Sequence, residues 1–307
     1  MTTGAVRAFR CSTASRTLGD PLEGTASTVT SFLLVESPGP WGVEALRDAR
    51  LDGEVKARLR QLEATRGIRP LLVRRSVRPP ASGAGDSVRI FAAHTGGHSP
   101  WVESTLLADV RELLDVDVAP LAQGRSVGLH PHPAQVFLVC THGRHDACCA
   151  ERGRPVAAAM ASAAPDLVWE VSHIGGDRFA PNVLVLPLGL YYGGLDPADA
   201  VRFLETQLAG RLDLEHLRGR TAYAFPVQAA EIYLRRDLGL VDAAPLRLVG
   251  HAREGSRNRV ELVAEGRHWR VDVETTVGEQ RQLTCSATRA GRALRHRLLD
   301  IQSVGPT

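Results

Sequence analysis

Apolar residues occur along the chain in short runs, and these runs alternate with segments whose apolar positions have helical spacing. Strand-like runs lie at residues 30–36 and 70–75, and residues 43–65 between them have mostly helical spacing. We expect a β-α-β unit with parallel strands here, usually right-handed. Residues 87–93 alternate as a strand does, and residues 101–114 have helical periodicity. The first third of the chain is therefore expected to alternate strands with helices.

The middle of the chain continues this alternation. Its apolar runs predict buried strands, and its helically spaced segments predict an alanine-rich helix and a second helix further on. The strands are expected at residues 135–139, 167–172 and 183–187, and the helices at residues 154–161 and 197–210. Strands that alternate with helices are typical of the α/β class. We therefore predict a mixed sheet flanked by helices.

The pattern of apolar and polar positions changes after residue 219. An amphipathic helix is expected over residues 226–236, and short alternating strands follow it. These strands are expected at residues 246–250, 260–264, 268–274 and 280–285. We predict a core domain over residues 11–215 and a small helix-plus-antiparallel-strand tail domain over residues 219–303. The tail contains no group of metal-binding residues, so we expect it to be dispensable for holding a cofactor in the core domain.

Composition narrows the classes of function. The 307 residues are 44% apolar, which is enough for a sizeable core. The 37 basic and 34 acidic residues leave a net charge of +3, which gives no electrostatic argument for binding nucleic acid or a membrane surface. No window resembles a signal peptide or a membrane span, so a cytoplasmic protein is expected. The five cysteines are an odd number and do not predict a disulfide framework.

Three of those cysteines lie close together in the chain. Cys140, Cys148 and Cys149 follow one predicted strand within ten residues, and His173 follows the next. Thiolate and imidazole are soft donors that suit a metal ion or an iron-sulfur cluster. The alternative is that buried cysteines act as small apolar residues. Cys11, in an expected irregular arm over residues 11–24, and Cys285 in the tail are interpreted as structural thiols.

Two motifs resemble those of a known family. The first is Cys140-Thr-His-Gly-x2-Asp-x-Cys-Cys149, and the second is His173-Ile-Gly-Gly-Asp-Arg-Phe-Ala-Pro-Asn182. Both are similar to the sucrase/ferredoxin-like proteins, relatives of the thioredoxin-like 2Fe-2S ferredoxins. The resemblance extends from about Cys11 to Leu208. It implies a thioredoxin-like mixed sheet and one 2Fe-2S cluster.

The resemblance also implies a set of ligands. The family's two cysteines nine positions apart correspond to Cys140 and Cys149, and the first histidine of its His-x3-His pattern corresponds to His173. This sequence has Asp177 in place of the second histidine. We predict that Asp177 is the fourth ligand, because carboxylate binds ferric iron well and the glycines before it permit a tight turn. Cys148 remains an alternative, as do the loop histidines His142 and His145.

The leading hypothesis is an electron-transfer protein that carries a 2Fe-2S cluster and exchanges electrons with a redox partner protein. A thiol redox protein and a structural zinc protein are the alternatives. A thioredoxin-type dithiol is a Cys-x-x-Cys, which the adjacent Cys148 and Cys149 do not form. Sucrose hydrolysis would need two carboxylates flanking the sugar. Asp146 and Asp177, the only suitable acids, lie among soft ligands, which disfavours a hydrolase.

Overall fold

A ten-stranded mixed sheet organises the protein in the computed structural model, which describes residues 8–76, 87–97 and 99–305. Its strands are β1 Ser31–Glu36, β2 Ile68–Arg74, β3 Val88–His94, β4 Trp101–Leu107, β5 His130–Pro131, β6 Val136–Cys140, β7 Val168–Val171, β8 Asn182–Leu186, β9 Leu190–Gly193 and β10 Leu217–Arg220. They are ordered β10-β9-β8-β6-β7-β2-β1-β3-β4-β5 across the sheet. The pairs β1/β2 and β6/β7 are parallel, and the other pairs are antiparallel.

Helices cover the sheet, and a second sheet follows it. The helices are α1 Cys11–Thr17, α2 Ala45–Asp48, α3 Gly53–Arg66, α4 Ala147–Ala163, α5 Ala200–Leu208 and α6 Phe225–Leu238. Single 3-10 turns occur at Val110–Leu114, Ala119–Gln123, Asp177–Phe179 and Pro197–Asp199. The small antiparallel sheet has the strands β11 Arg247–Glu254, β12 Arg257–Ala264, β13 Arg267–Arg281 and β14 Gly291–Val304. The predicted α/β class, with helices on a mixed sheet and a small antiparallel tail, is confirmed.

The structure corrects two predictions in the first half of the chain. Residues 101–114 are not a helix, because β4 pairs along its whole length with β3 and the following residues form only a 3-10 turn. Cross-strand pairing outweighs the weak local periodicity in this segment. The arm over residues 11–24 is not wholly irregular either. It begins with α1, whose Cys11, Ser12 and Ser15 side chains are buried.

Two further boundaries differ from the prediction. Helix α4 begins at Ala147, seven residues before the expected start at residue 154, so Pro155 lies inside the helix and not in its first turn. The Asp146 side chain caps it by accepting a hydrogen bond from the Cys148 amide. Residues 280–285 are not a separate strand, since β13 ends at Arg281. Cys285 therefore lies in the loop that joins β13 to β14.

The tail packs on the core through α6. Ile232 joins the apolar cluster of the large sheet, whereas Val227 and Leu234 pack with residues of the small sheet. The carboxylate of Glu231 lies 3.5 Å from Arg220 of β10 and 3.0 Å from Arg235, and all three side chains are buried. Breaking one member of such a buried ion group leaves an uncompensated charge. The division into residues 11–215 and 219–303 stays a prediction.

Helix α4 approaches the end of β6 closely at Gly153. A Cβ atom on this residue would lie 2.1 Å from the Cys140 carbonyl oxygen, a backbone atom that cannot rotate away. Alanine improves helix propensity by about 1 kcal/mol, but overpacking against the backbone costs about 1–3 kcal/mol or more. We expect Gly153→Ala to destabilise the protein by about 1–2 kcal/mol in urea unfolding.

The opposite substitution at an exposed position of the same helix provides the control. Ala158→Gly removes a methyl group from the solvent side of α4 and should cost about 1 kcal/mol through propensity alone. A Gly153→Ala protein about 1 kcal/mol more stable than the wild type would mean that α4 does not press against Cys140, because only the gain in helix propensity would then remain.

No helix within residues 8–76, 87–97 and 99–305 has the length and apolar character needed to cross a membrane.

Candidate metal centre

The parallel strands β6 and β7 bring two potential ligands to one edge of the sheet. Cys140 is the last residue of β6 and pairs in register with Val171 of β7, two positions before His173. Cys149 lies in the first turn of α4, which starts soon after β6. The side chains of Cys140 and Cys149 are buried in the apolar cluster on this face of the sheet. Chain direction and the short β6-α4 connection therefore place these residues together.

Four of the predicted ligands converge at this edge. The thiol of Cys149 donates a hydrogen bond to Oδ1 of Asp177 over 3.3 Å, and Nδ1 of His173 lies 2.9 Å from the same oxygen. The donor atoms of Cys140, Cys149 and His173 all lie within 4.8 Å of one another. Cys140, Cys149 and His173 thus form one close group, and the Asp177 carboxylate contacts two of its members, Cys149 and His173.

A glycine turn makes the approach of Asp177 to His173 possible. Gly175 and Gly176 have φ angles of 94° and 84°, in the left-handed region that favours glycine. The 3-10 turn Asp177–Phe179 follows and directs the carboxylate back towards His173. Residues four positions apart consequently face each other without helical structure between them.

Arg218 supports this turn from the neighbouring strand β10. Its buried guanidinium donates hydrogen bonds to the Gly175 carbonyl over 3.0 Å and to Oδ1 of Asn182 over 2.7 Å. Asn182 in turn donates to the Gly176 carbonyl over 2.9 Å. Burial lowers the pKa of Arg218 to about 10, which leaves it cationic at neutral pH. The sequence analysis missed this residue, because its local sequence does not distinguish it from other arginines of the chain.

His142 has both ring nitrogens occupied by backbone groups. Its Nε2 lies 2.9 Å from the Gly42 carbonyl oxygen, which can only accept, so Nε2 carries the proton and donates. Nδ1 then accepts from the His173 amide over 3.2 Å. Burial lowers the pKa of His142, which agrees with this neutral tautomer. His142 thus has no free lone pair to offer a metal and instead positions the backbone of His173.

His145 stays available as a further donor. Its ring stacks on the His173 ring with 3.8 Å between centroids, and its Nε2 lies 3.9 Å from Oδ2 of Asp177. The side chains of His145 and His173 are 29% and 27% exposed, so the edges of both rings reach the surface. A cavity of about 400 Å³ opens beside them and has His142, His145 and His173 in its wall.

The electrostatics of the site favour charged ligands. Burial opposes ionisation of both His173 and Asp177, but their mutual attraction outweighs it, so the pKa of His173 is raised and that of Asp177 is lowered. The neighbouring Cys149 thiol lowers the pKa of Cys140, although burial acts in the opposite direction. Of the two thiols, Cys149 is therefore the one that keeps its proton. A metal that binds here would displace this proton.

The donor set fits a metal. Nδ1 of His173 is buried and lies 2.9 Å from Oδ1 of Asp177 without forming a hydrogen bond. An unpaired buried nitrogen is costly, and a metal between it and the carboxylate would satisfy it. Thiolates and imidazole suit iron and zinc equally. This buried cluster could therefore hold a metal ion.

Cys148 faces away from these residues. Its sulfur lies 3.3 Å from that of Cys285 and belongs to a separate group with Cys11 and Asp146. Adjacent residues on a helix are rotated by about 100° about its axis, which explains why Cys148 and Cys149 enter different groups. The structure thus brings Cys140, Cys149, His173 and Asp177 together, and it places Cys148 elsewhere.

Comparison with known proteins agrees with these motifs. No curated protein matches the chain, and no solved structure does. The model of the family described as "Sucrase/ferredoxin-like" matches residues 22–219, which is more than half of the chain and includes β6, β7 and the turn after Gly176. The chain therefore belongs to the sucrase/ferredoxin-like family.

Proposed function

We propose that this protein transfers electrons and carries one 2Fe-2S cluster at Cys140, Cys149, His173 and Asp177. The observation that carries the proposal is the convergence of two cysteine sulfurs, an imidazole and a carboxylate at the ends of two adjacent parallel strands. Membership of a family described as ferredoxin-like supports iron-sulfur chemistry over other metal chemistry. When bound, such a cluster accepts and releases a single electron.

Different residues would bind the cluster and set its reduction potential. Cys140 and Cys149 would supply two thiolates from rigid elements, and His173 would supply a neutral nitrogen. Replacing thiolate by imidazole removes negative charge and raises the reduction potential, whereas the carboxylate of Asp177 restores one charge and lowers it. Arg218 holds the turn between His173 and Asp177 in place through the Gly175 carbonyl. The potential is therefore set by ligand charge on a fixed backbone.

The exposed histidine edges provide the approach for a redox partner protein. His145 and His173 are each about one quarter exposed and line the cavity beside the site. Electron tunnelling weakens with distance, so a partner that docks over these rings would exchange electrons most readily. The cavity wall also includes charges of both signs, which can orient such a partner. These charged residues are Glu44, Arg47, Arg60, Glu63 and Arg69.

Zinc at the same four residues is a second candidate. It is favoured by the 3.3 Å separation of Cys149 Sγ from Oδ1 of Asp177, whereas the 2.9 Å separation of His173 Nδ1 from the same oxygen is shorter than one ion would impose. Four donors on one tetrahedral ion lie about 3.3–3.8 Å apart, given metal-ligand bonds of about 2.0–2.3 Å. A binuclear cluster would require the four donors to separate into two pairs.

Anaerobic purification with iron and sulfide analysis distinguishes the two metals. We expect a coloured protein with about two iron and two sulfide per chain, whose visible absorption decreases when dithionite is added. Reconstitution with ferrous iron and sulfide should restore the same spectrum after chelation. A protein that stays colourless and free of iron after anaerobic reconstitution would overturn the electron-transfer proposal.

A further inference from the structure

A second group of metal-binding side chains lies on the other side of the α4 N-terminus. Cys11 begins α1, Asp146 and Cys148 lie at the start of α4, and Cys285 lies in the β13-β14 loop. One donor atom of each residue lies within 4.8 Å of the others. Cys11 and Cys285 are separated by 274 positions, so only the tertiary fold brings them together.

The separations within this group lie within about 0.5 Å of those expected around one ion. The sulfur of Cys285 lies 3.3 Å from that of Cys148 and 3.5 Å from that of Cys11, and Cys11 Sγ lies 3.6 Å from Oδ2 of Asp146. Tetrahedral zinc, with bonds of about 2.3 Å to sulfur and about 2.1 Å to oxygen, spaces its ligands by about 3.6–3.8 Å. A disulfide would need about 2.05 Å between two sulfurs. All of the thiols are free.

We propose that Cys11, Cys148, Cys285 and Asp146 form a structural zinc site that fastens the C-terminal tail to the core. Three thiolates and one carboxylate complete a four-coordinate sphere and leave no open position for substrate, which is typical of structural zinc. Thiolate-rich sets also select zinc over magnesium and calcium.

The protein backbone already orients two of these ligands. The Asp146 carboxylate accepts from the Cys148 amide over 2.9 Å and from the Cys285 amide over 2.6 Å, so the amides of two ligands fix the position of a third. The Cys11 amide lies 3.5 Å from the Cys285 sulfur and points a donor at it. Hydrogen bonds of this kind orient ligands and stabilise their charge.

Nearby arginines offset the charge of the proposed site. Four anionic ligands around a divalent ion leave a net charge of −2, which is costly to bury alone. Arg10 lies near Cys148 and Cys285, and Arg178 near Cys11, although Arg10 also pairs with Glu151 and Arg178 with Asp20. Nε of Arg178 is buried and makes no hydrogen bond to another described residue. Cys11, Cys148 and Asp146 are almost fully buried, which protects the site from solvent.

The second site is separate from the proposed electron-transfer centre. It shares none of Cys140, Cys149, His173 and Asp177. Cys11 and Cys285 also lie outside residues 22–219, so the family match does not account for this group. It changes the interpretation of the tail, because Cys285 is a prospective ligand and not an isolated structural thiol.

Zinc analysis of Cys285→Ser, compared with Ser286→Ala as control, tests this proposal. Both residues lie in the same loop, and Cys285 is only partly buried, so the fold should tolerate either change. We expect Cys285→Ser to contain one equivalent of zinc less than the wild type and Ser286→Ala to contain as much. The iron content of both should equal that of the wild type. Equal zinc content in the wild type and Cys285→Ser would overturn the proposal.

Cobalt(II) gives a second readout that does not depend on the proposed function. In Cys149→Ser, where the first site keeps only the Cys140 thiol, Co²⁺ should still produce intense thiolate-to-cobalt absorption, and adding Cys285→Ser, which removes one of the three thiolates of the second site, should strongly weaken it. Absence of this absorption in the folded Cys149→Ser protein would overturn the site. Detection of a Cys148–Cys285 disulfide in protein purified without oxidant would also overturn it.

Discussion

Cys149→Ser is expected to yield a protein without a bound cluster, whereas Cys148→Ser should keep its full visible absorption. Serine has nearly the same shape as cysteine, but its hydroxyl stays protonated where a thiol ionises, so it is a poor ligand for iron. Cys149 lies within the group of Cys140, His173 and Asp177, while Cys148 points to Cys285. We expect iron content to fall by at least tenfold in Cys149→Ser and to be unchanged in Cys148→Ser.

The two substitutions control for each other. They occupy adjacent, fully buried positions in the first turn of α4, so any general damage to the helix should affect both proteins alike. Iron, sulfide and zinc analysis of the two proteins measures the difference, and Cys148→Ser should instead lose the proposed zinc. A bleached Cys148→Ser together with a coloured Cys149→Ser would mean that the ligand assignment is wrong by one residue.

Removing the side chain of Asp177 is expected to prevent cluster binding, and histidine at this position is expected to restore it at a higher potential. Asp177→Ala deletes the only carboxylate that contacts both Cys149 and His173 among the described residues. Asp177→His replaces an anionic ligand by a neutral one and gives the His-x3-His pattern. From the effect of imidazole ligation, the potential should rise by on the order of 100 mV or more.

His145→Ala is the matched control for this pair. His145 also lies near Asp177 and stacks on His173, so it is the nearest competitor for the fourth position. We expect its removal to leave iron content unchanged, and redox titration of the coloured proteins gives their potentials. A fully loaded Asp177→Ala with the wild-type potential would show that the aspartate is not a ligand. Loss of iron in His145→Ala alone would assign the position to the histidine.

Much of the first site follows from short-range features of the sequence. Cys140 and Cys149 are nine positions apart, and His173 and Asp177 are four apart, so a short loop that folds back can bring the members of each pair together. The apolar runs before Cys140 and His173 predicted two buried strands, and the structure has β6 and β7 there. The sequence analysis did not predict that these strands are parallel neighbours.

The first residue of α4 is set by a capping side chain as well as by helix propensity. The alanine-rich stretch predicted a helix from residue 154, but the Asp146 cap begins it at Ala147. Because of this earlier start, Cys148 and Cys149 both lie in the helix, and their side chains enter different groups. Likewise, residues 101–114 were predicted as a helix and instead contribute β4, because their backbone groups pair with those of β3.

The donor types, their spacing and most of the α/β alternation can be predicted from the amino-acid sequence, because they depend on neighbours within a few positions. Which distant groups meet depends on the fold as a whole. Arg218 reaches the Gly175 carbonyl across 43 positions, and Cys285 reaches Cys11 across 274. Such contacts depend on the packing of whole sheets and helices, and no local spacing encodes them. For that reason a cysteine that seemed isolated in the sequence lies beside two others in the fold.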